Sequence, residues 1–142
     1  MEVWKKHIKL GNRCFGNEHY LDAEREYRSA LTRSKQLFHA WLDHDEAVWS
    51  LIVSYQNLAD LLDKQNQSEQ AITLLQELNQ TLTDTLQQLA CSVPSDEERQ
   101  MAIRRGLRSS YAHMLNMQRK SHGACTSTDS THSDNLVFGE LV

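Results

Sequence analysis

The residues able to carry out chemistry are few, and their spacing does not build a catalytic site. Three cysteines, Cys14, Cys91 and Cys125, are widely separated, and none has the base and the orienting partner that a nucleophilic thiol requires. The chain contains no glycine-rich phosphate loop and no G-x-S-x-G sequence. The sequence therefore predicts a protein that is not an enzyme and uses no cofactor.

Seven histidines raise the question of a metal site. His39, Asp43 and His44 lie close together in sequence, in a region that resembles a solvated turn. No Cys/His pair has the spacing of a structural zinc site. We therefore expect no bound metal.

The elements that carry these residues are predicted to be helices. One proline and five glycines in 142 residues are too few for the turns of a sheet protein. Apolar residues recur at helical spacing along most of the chain. The predicted fold class is all-α, with five helices over residues 2–16, 20–40, 43–64, 68–91 and 96–119.

Capping signals mark the starts of three helices. Asp43 stands three residues before Glu46, and Ser95 stands three residues before Glu98, which is the capping-box spacing. Ser68 is predicted to cap the fourth helix. The sequence thus predicts where three of the five helices begin.

The charge distribution argues against nucleic-acid binding. Residues 36–95 contain eight acidic residues and one basic residue, whereas the flanking residues 1–35 and 96–119 are mildly basic. A nucleic-acid surface is basic along one continuous face, and the arginines of the fifth helix point in different directions. No stretch is long and apolar enough for a membrane span.

The N-terminal residues lack the apolar core of a secretory signal, and the odd, widely spaced cysteines indicate free thiols. We therefore expect a cytoplasmic protein.

Residues 1–119 are predicted to form one helical domain. Residues 120–142 are predicted to form a flexible tail with an apolar end. The tail is expected to be a disordered end, and the alternative is that Leu136, Val137 and Phe138 dock on the helices or on a second copy of the chain.

An internal repeat relates the first two helix pairs. Leu10-Gly11, Ala23, Tyr27 and Ala30 recur at one constant offset as Leu58-Ala59, Ala71, Leu75 and Leu78. We call the separation from Leu10 to Leu58 the repeat offset. Small residues at these positions let two helices approach closely, and the large ones fill the space between pairs.

The pattern resembles the tetratricopeptide (TPR) family. The resemblance implies repeats over residues 4–40 and 43–91, followed by a capping helix over 96–119. It also implies that the helix hairpins stack into a short right-handed solenoid.

The resemblance further implies a binding surface. In TPR folds the first helix of each pair lines the concave face, which binds a peptide or a helix of another protein. By register, the polar residues on that face are Lys5, Lys9, Asn12, Gln56, Asn57 and Asp60. Asn12 and Asn57 also match the asparagines of the carboxylate clamp of TPR cochaperones, with Arg104 as a basic member, although Ile8 replaces the clamp lysine.

Two functions remain open at this point. The first is an interaction module or scaffold that binds another protein in the concave groove. The alternative is a small TPR-type chaperone or regulator that masks a hydrophobic segment of its partner, as a monomer or a homodimer. The aromatic residues Phe38, Trp41 and Trp49 near the second turn are expected to pack inside, with an exposed docking patch as the alternative.

Overall fold

Five α-helices make up the fold of residues 1–123. The structure is a computed structural model that describes residues 1–123. The helices are α1 (Glu2–Gly16), α2 (Tyr20–Ala40), α3 (His44–Lys64), α4 (Ser68–Ala90) and α5 (Glu97–Gly123). No strand occurs in this range. The predicted all-α class with five helices is confirmed.

The helices form a stack of hairpins in which α3 is central. Each helix packs on the next one in sequence, and α3 also packs on α1 and on α5. Helix α3 therefore contacts all four other helices, whereas α1 and α5 each lie at one end of the stack. This position explains why twelve of the 21 residues of α3 are buried.

Small residues let the helices of each pair approach closely. Ala23, Ala59 and Ala71 have no exposed surface. Gly11 lies directly against the ring of Tyr27, since a Cβ atom placed on Gly11 would be 2.5 Å from Tyr27 Cδ1. The positions that the repeat pattern marks as close-approach sites are thus buried contacts between helices.

The turns inside the two hairpins are related by the repeat offset. In the α1–α2 turn the amide of His19 donates to the carbonyl of Cys14 over 2.8 Å, and in the α3–α4 turn Gln67 donates to Leu62 over 2.8 Å. Each turn also holds one residue in the left-handed region, with φ of 61° at Glu18 and 62° at Asn66. The internal repeat is therefore a repeat of backbone conformation as well as of residue type.

The N-terminal cap of α3 follows the predicted pattern in part. The Asp43 side chain accepts a hydrogen bond from the amide of Glu46 over 3.0 Å, as predicted. The Glu46 carboxylate does not return to the cap, because it accepts from Trp41 Nε1 over 2.8 Å.

The other two predicted caps were wrong. Ser68 is the first residue of α4 and its hydroxyl donates to Asp63 Oδ1 over 2.7 Å, so it bridges the turn. At the start of α5 the amide of Arg99 is bonded to Asp96 Oδ1 over 3.0 Å, and Asp96 takes the place predicted for Ser95. At α5 the cause is the neighbouring Asp96, whose carboxylate is a stronger acceptor than the Ser95 hydroxyl. At α4 the Ser68 hydroxyl instead serves as a donor to Asp63.

The C-terminal helix is longer than predicted, since α5 continues through Lys120 to Gly123. The predicted docking of Leu136, Val137 and Phe138 lies outside the described residues. Within residues 1–123, no helix combines the length and the hydrophobicity that a membrane span requires.

Candidate functional site

The six residues predicted to bind a partner lie on α1 and α3. Lys9 is exposed, and Lys5 is half-buried, with its ammonium group 3.4 Å from Glu2 Oε1. Gln56 is also half-buried. These three side chains are available for contact with another molecule.

The two asparagines link helices to one another. The hydroxyl of Tyr27 donates to Asn12 Oδ1 over 2.7 Å, and Asn57 Nδ2 donates to the same oxygen over 3.4 Å. Burial raises the pKa of the Tyr27 hydroxyl, with smaller contributions from the charges of Asp60 and Cys14, so the hydroxyl stays protonated and remains a donor. The amide oxygen of Asn12 is therefore occupied by α2 and α3, which leaves its NH₂ group and the Asn57 oxygen for a partner.

Asp60 forms the corresponding link between α3 and α5. Its Oδ1 atom lies 2.7 Å from Nε2 of His113, and the two side chains are 36% and 25% exposed. Asp60 and Asn12 are related by the repeat offset, so the same repeat position links α1 to α3 and α3 to α5. The sequence reasoning did not identify His113, because its partner lies on a different helix, far away in sequence.

A groove between α3 and α5 lies along the side of α3 on which Asp60 faces His113. It encloses about 420 Å³ and is lined by Asp45, Glu46, Val48, Trp49, Ile52, Ala102, Arg105, Gly106 and Ser109. On α3, residues 45, 49, 52, 56 and 60 follow one another at steps of three or four, so they form one row on the helix surface. We call these five residues the α3 row.

The floor of the groove is apolar and exists because α5 approaches α3 closely. A Cβ atom on Gly106 would be 2.7 Å from Ile52 Cδ1 and 2.8 Å from Val48 Cγ1. Ala102, one turn earlier on α5, is also small and is 3% exposed. The small residues of α5 thus let this helix pack directly on Ile52 and Val48, which form the floor of the groove.

The repeat relates this interface to the one between α1 and α3. By the repeat offset, Ile52 corresponds to Trp4. Trp4 is 3% exposed and fills the contact between α1 and α3, where its indole nitrogen donates to Ser54 Oγ over 2.7 Å. Ile52 is smaller than Trp4 and packs against a glycine, so the contact between α3 and α5 is formed by smaller residues than the contact between α1 and α3.

Charged and aromatic groups form the rim of the groove. Asp45 and Arg105 pair across it, with Oδ1 of Asp45 in direct contact with a guanidinium nitrogen at 2.6 Å. Glu46 stands beside them, and Trp49 is 44% exposed. An apolar floor with an exposed indole and a few charged groups at the edge is typical of a binding site.

The three aromatic residues of the second turn do not share one environment. Phe38 is 4% exposed and packs inside, as expected, whereas Trp41 and Trp49 are 37% and 44% exposed. The expectation of interior packing was therefore wrong for the two tryptophans. The spacing of the α3 row could have predicted the exposure of Trp49, because it places Trp49 on the same helix face as the polar residues Gln56 and Asp60.

The remaining candidates do not assemble into sites. Arg104 lies on the exposed face of α5, about 200° around the helix from Gly106, and bonds to Gln100 Oε1. It does not converge with the two clamp asparagines. A second depression, of about 460 Å³, is lined by residues of α2 alone, which makes it part of the open helix surface.

The histidines near the second turn are engaged separately. His39 contacts the ring of Phe38 edge-on, and His44 Nε2 lies 3.6 Å from Asp96 Oδ2. Within residues 1–123, no group of three His, Cys, Asp or Glu side chains is placed to hold a metal ion. The thiols of Cys14 and Cys91 are free, the first half-buried and the second exposed.

The fold defines a small all-α protein built from repeated helix hairpins, with a groove between α3 and α5. The sequence profile of a family described as proteins of unknown function, DUF2753, matches residues 2–135, and the chain belongs to that family. No curated protein and no solved structure matches the chain.

Proposed function

We propose that this protein is a protein–protein interaction module, and that the α3–α5 groove binds a segment of another protein. The observation that carries the proposal is the exposed indole of Trp49 beside an apolar floor of Val48, Ile52 and Ala102. A large apolar side chain of the partner would enter this space, displace water and pack against the indole. Such buried anchors contribute most of the affinity in protein interfaces.

The charges around the groove define the chemistry of the partner. Asp45 is paired with Arg105, but Glu46 adds negative charge at the rim. Asp60, whose Oδ1 lies 2.7 Å from Nε2 of His113, is a further carboxylate along the α3 row. The partner segment is therefore expected to carry a lysine or arginine next to its apolar anchor, since opposite charges speed association and favour one orientation.

The polar residues of the α3 row serve a second role in the proposal. Gln56 is half-buried beside the groove, and the Asn57 side-chain oxygen has no hydrogen-bond donor among the described residues. Side-chain amides both donate and accept, so they suit the backbone of an extended peptide. Lys5, Lys9 and Asn12 would extend this surface onto α1.

The TPR resemblance agrees with this proposal. In a TPR stack the first helices of successive pairs touch one another, and here α3 contacts α1 and α5 in that way. We extend the proposal to a cytoplasmic protein that is not an enzyme and binds neither nucleic acid nor cofactor. The free thiols of Cys14 and Cys91 agree with a reducing compartment.

The apolar floor of the groove also supports a second candidate function. A chaperone-like regulator would use the same surface to mask a hydrophobic segment of its partner, alone or as a homodimer. The chaperone and the interaction module differ in whether the partner stays folded when this protein is absent. A chaperone's partner aggregates, whereas the partner of an interaction module stays folded.

The proposal is tested by crosslinking from inside the groove. A photo-reactive amino acid replaces Ser109, and the covalent product is identified by mass spectrometry. The affinity of the purified partner is then measured by calorimetry. We expect Trp49→Ala to weaken binding by about tenfold or more, which corresponds to the loss of a major anchor.

The matched control is Leu42→Ala, because Leu42 is 94% exposed and lies in the α2–α3 turn outside the groove. This variant should bind the partner like the wild type. Equal affinity of Trp49→Ala and wild type would place the binding surface elsewhere and overturn the proposal.

A further inference from the structure

The outer face of α5 exposes apolar side chains that no other described helix covers. Met101, Tyr111 and Leu115 are 51%, 46% and 48% exposed. Together with Arg104 and Arg108 they follow the spacing i, i+3, i+7, i+10, i+14, so the five residues form one row on the helix. We call them the α5 outer row. It faces away from the groove, which lies on the Gly106 side of the same helix.

The α5 outer row is also positively charged. Within residues 1–123, neither Arg104 nor Arg108 forms an ion pair. Arg104 has a polar contact with Gln100. Arg105, on the groove side of α5, forms an ion pair with Asp45. An occupant of this row would therefore need apolar groups combined with acidic ones.

The C-terminal part of the same chain has this composition. Residues 124–142 contain three acidic residues, Asp129, Asp134 and Glu140, and no lysine or arginine. Five of the last seven residues are large and apolar, namely Leu136, Val137, Phe138, Leu141 and Val142. Apolar side chains and carboxylates thus occur together, as the α5 outer row requires.

The length of the intervening chain allows the contact within one molecule. Along the helix axis, Leu115 is about 12 Å and Met101 about 33 Å from Gly123, the last described residue, at the α-helical rise. Residues 124–135 can span up to about 40 Å. Every part of the α5 outer row is therefore within reach of residues 136–142.

We propose that residues 136–142 dock on the α5 outer row of their own chain. The apolar side chains would cover Tyr111 and Leu115, and the nearby carboxylates would face Arg104 and Arg108. Attachment to the same chain gives the segment an effective concentration in the millimolar range, so weak contacts suffice. The docked segment would close the exposed end of the stack, where repeat proteins need a cap.

The experiment places a spin label on the segment and observes the helices by NMR. The full chain carries Val137→Cys as its only cysteine, with Cys14→Ala, Cys91→Ser and Cys125→Ser. Docking should strongly broaden the amide signals of Tyr111 and Leu115, while the signals of α1 keep their intensity. The double variant Tyr111→Asp/Leu115→Asp should lose the broadening of the neighbouring α5 amides.

Leu42→Asp is the matched control, since it places the same charge on another exposed leucine, and it should keep the broadening. Circular dichroism shows whether each variant retains its helices. A mixture of spin-labelled chain with isotope-labelled chain tests for a second copy. Broadening in the mixture, broadening confined to the groove, or no broadening of α5 would each overturn the proposal.

Discussion

At the scale of single residues, the same repeat positions link helices in both hairpins. Asn12 and Asp60 are related by the repeat offset, and each contacts a side chain of the next first helix, Asn57 or His113. Residues that a repeat pattern predicts to face a partner can thus already be hydrogen-bonded to side chains of neighbouring helices. Only the side-chain atoms without a hydrogen bond inside the protein, such as the NH₂ group of Asn12 and the amide oxygen of Asn57, remain for binding.

The contact between Gly11 and Tyr27 yields the first prediction. In Gly11→Ala the new methyl group would be 2.5 Å from two ring carbons of Tyr27, so the ring or α1 must move. We expect the free energy of unfolding to fall by about 1–3 kcal/mol. Urea denaturation followed by circular dichroism measures this change.

Gly16→Ala is the matched control, because nothing lies within 4 Å of a Cβ atom placed there. Alanine also restricts the unfolded chain more than glycine does. This variant should be as stable as the wild type, or more stable by less than about 1 kcal/mol. If both variants unfold at the same urea concentration, the close contact between α1 and α2 is wrong.

At the scale of the elements, local signals and neighbouring helices both decide where a helix begins. Asp43 caps α3 through a bond to the amide of Glu46, which the spacing predicts. The Glu46 side chain instead meets Trp41 at the groove rim. The turn between α2 and α3 is thus held by two hydrogen bonds, from the Glu46 amide to Asp43 and from the Trp41 indole to Glu46.

The cap of α3 provides the second prediction. Asp43→Ala removes the acceptor for the Glu46 amide, and we expect a loss of about 0.5–2 kcal/mol in the free energy of unfolding. Asp43→Asn keeps an oxygen in the same position and should be close to wild type. Thermal and urea denaturation of the three proteins measure the difference. An alanine variant as stable as the asparagine variant would contradict the assigned cap.

At the scale of the whole molecule, α3 holds the stack together. It contacts every other described helix, and it contains the largest share of the fully buried side chains, including Leu51, Ile52, Tyr55, Leu58 and Leu61. Among the described helices, α1 packs only on α2 and α3. The stability of the molecule should therefore decrease from the centre of the stack toward its ends.

Native-state hydrogen exchange tests this gradient. We expect the amides of residues 51–61 to exchange only through global unfolding, and those around Ile8 in α1 to exchange faster through local opening. Gly11→Ala should accelerate exchange in α1 more than in α3. Uniform protection across the five helices would show instead that the stack unfolds as one unit.

The sequence by itself determined the helices, the internal repeat and the close-approach positions. These features depend on interactions between residues a few positions apart, such as the Asp43 cap, or on the 3.6-residue period of burial that places Ala23 and Ala71 inside. The tertiary structure alone decided that Asn12 and Asn57 bond to each other and that Asp60 meets His113. It also decided that Gly106 packs directly against Ile52 and Val48, because the two helices that form the groove are far apart in sequence. Contacts of this kind join side chains that no local pattern relates, and the groove is made of them.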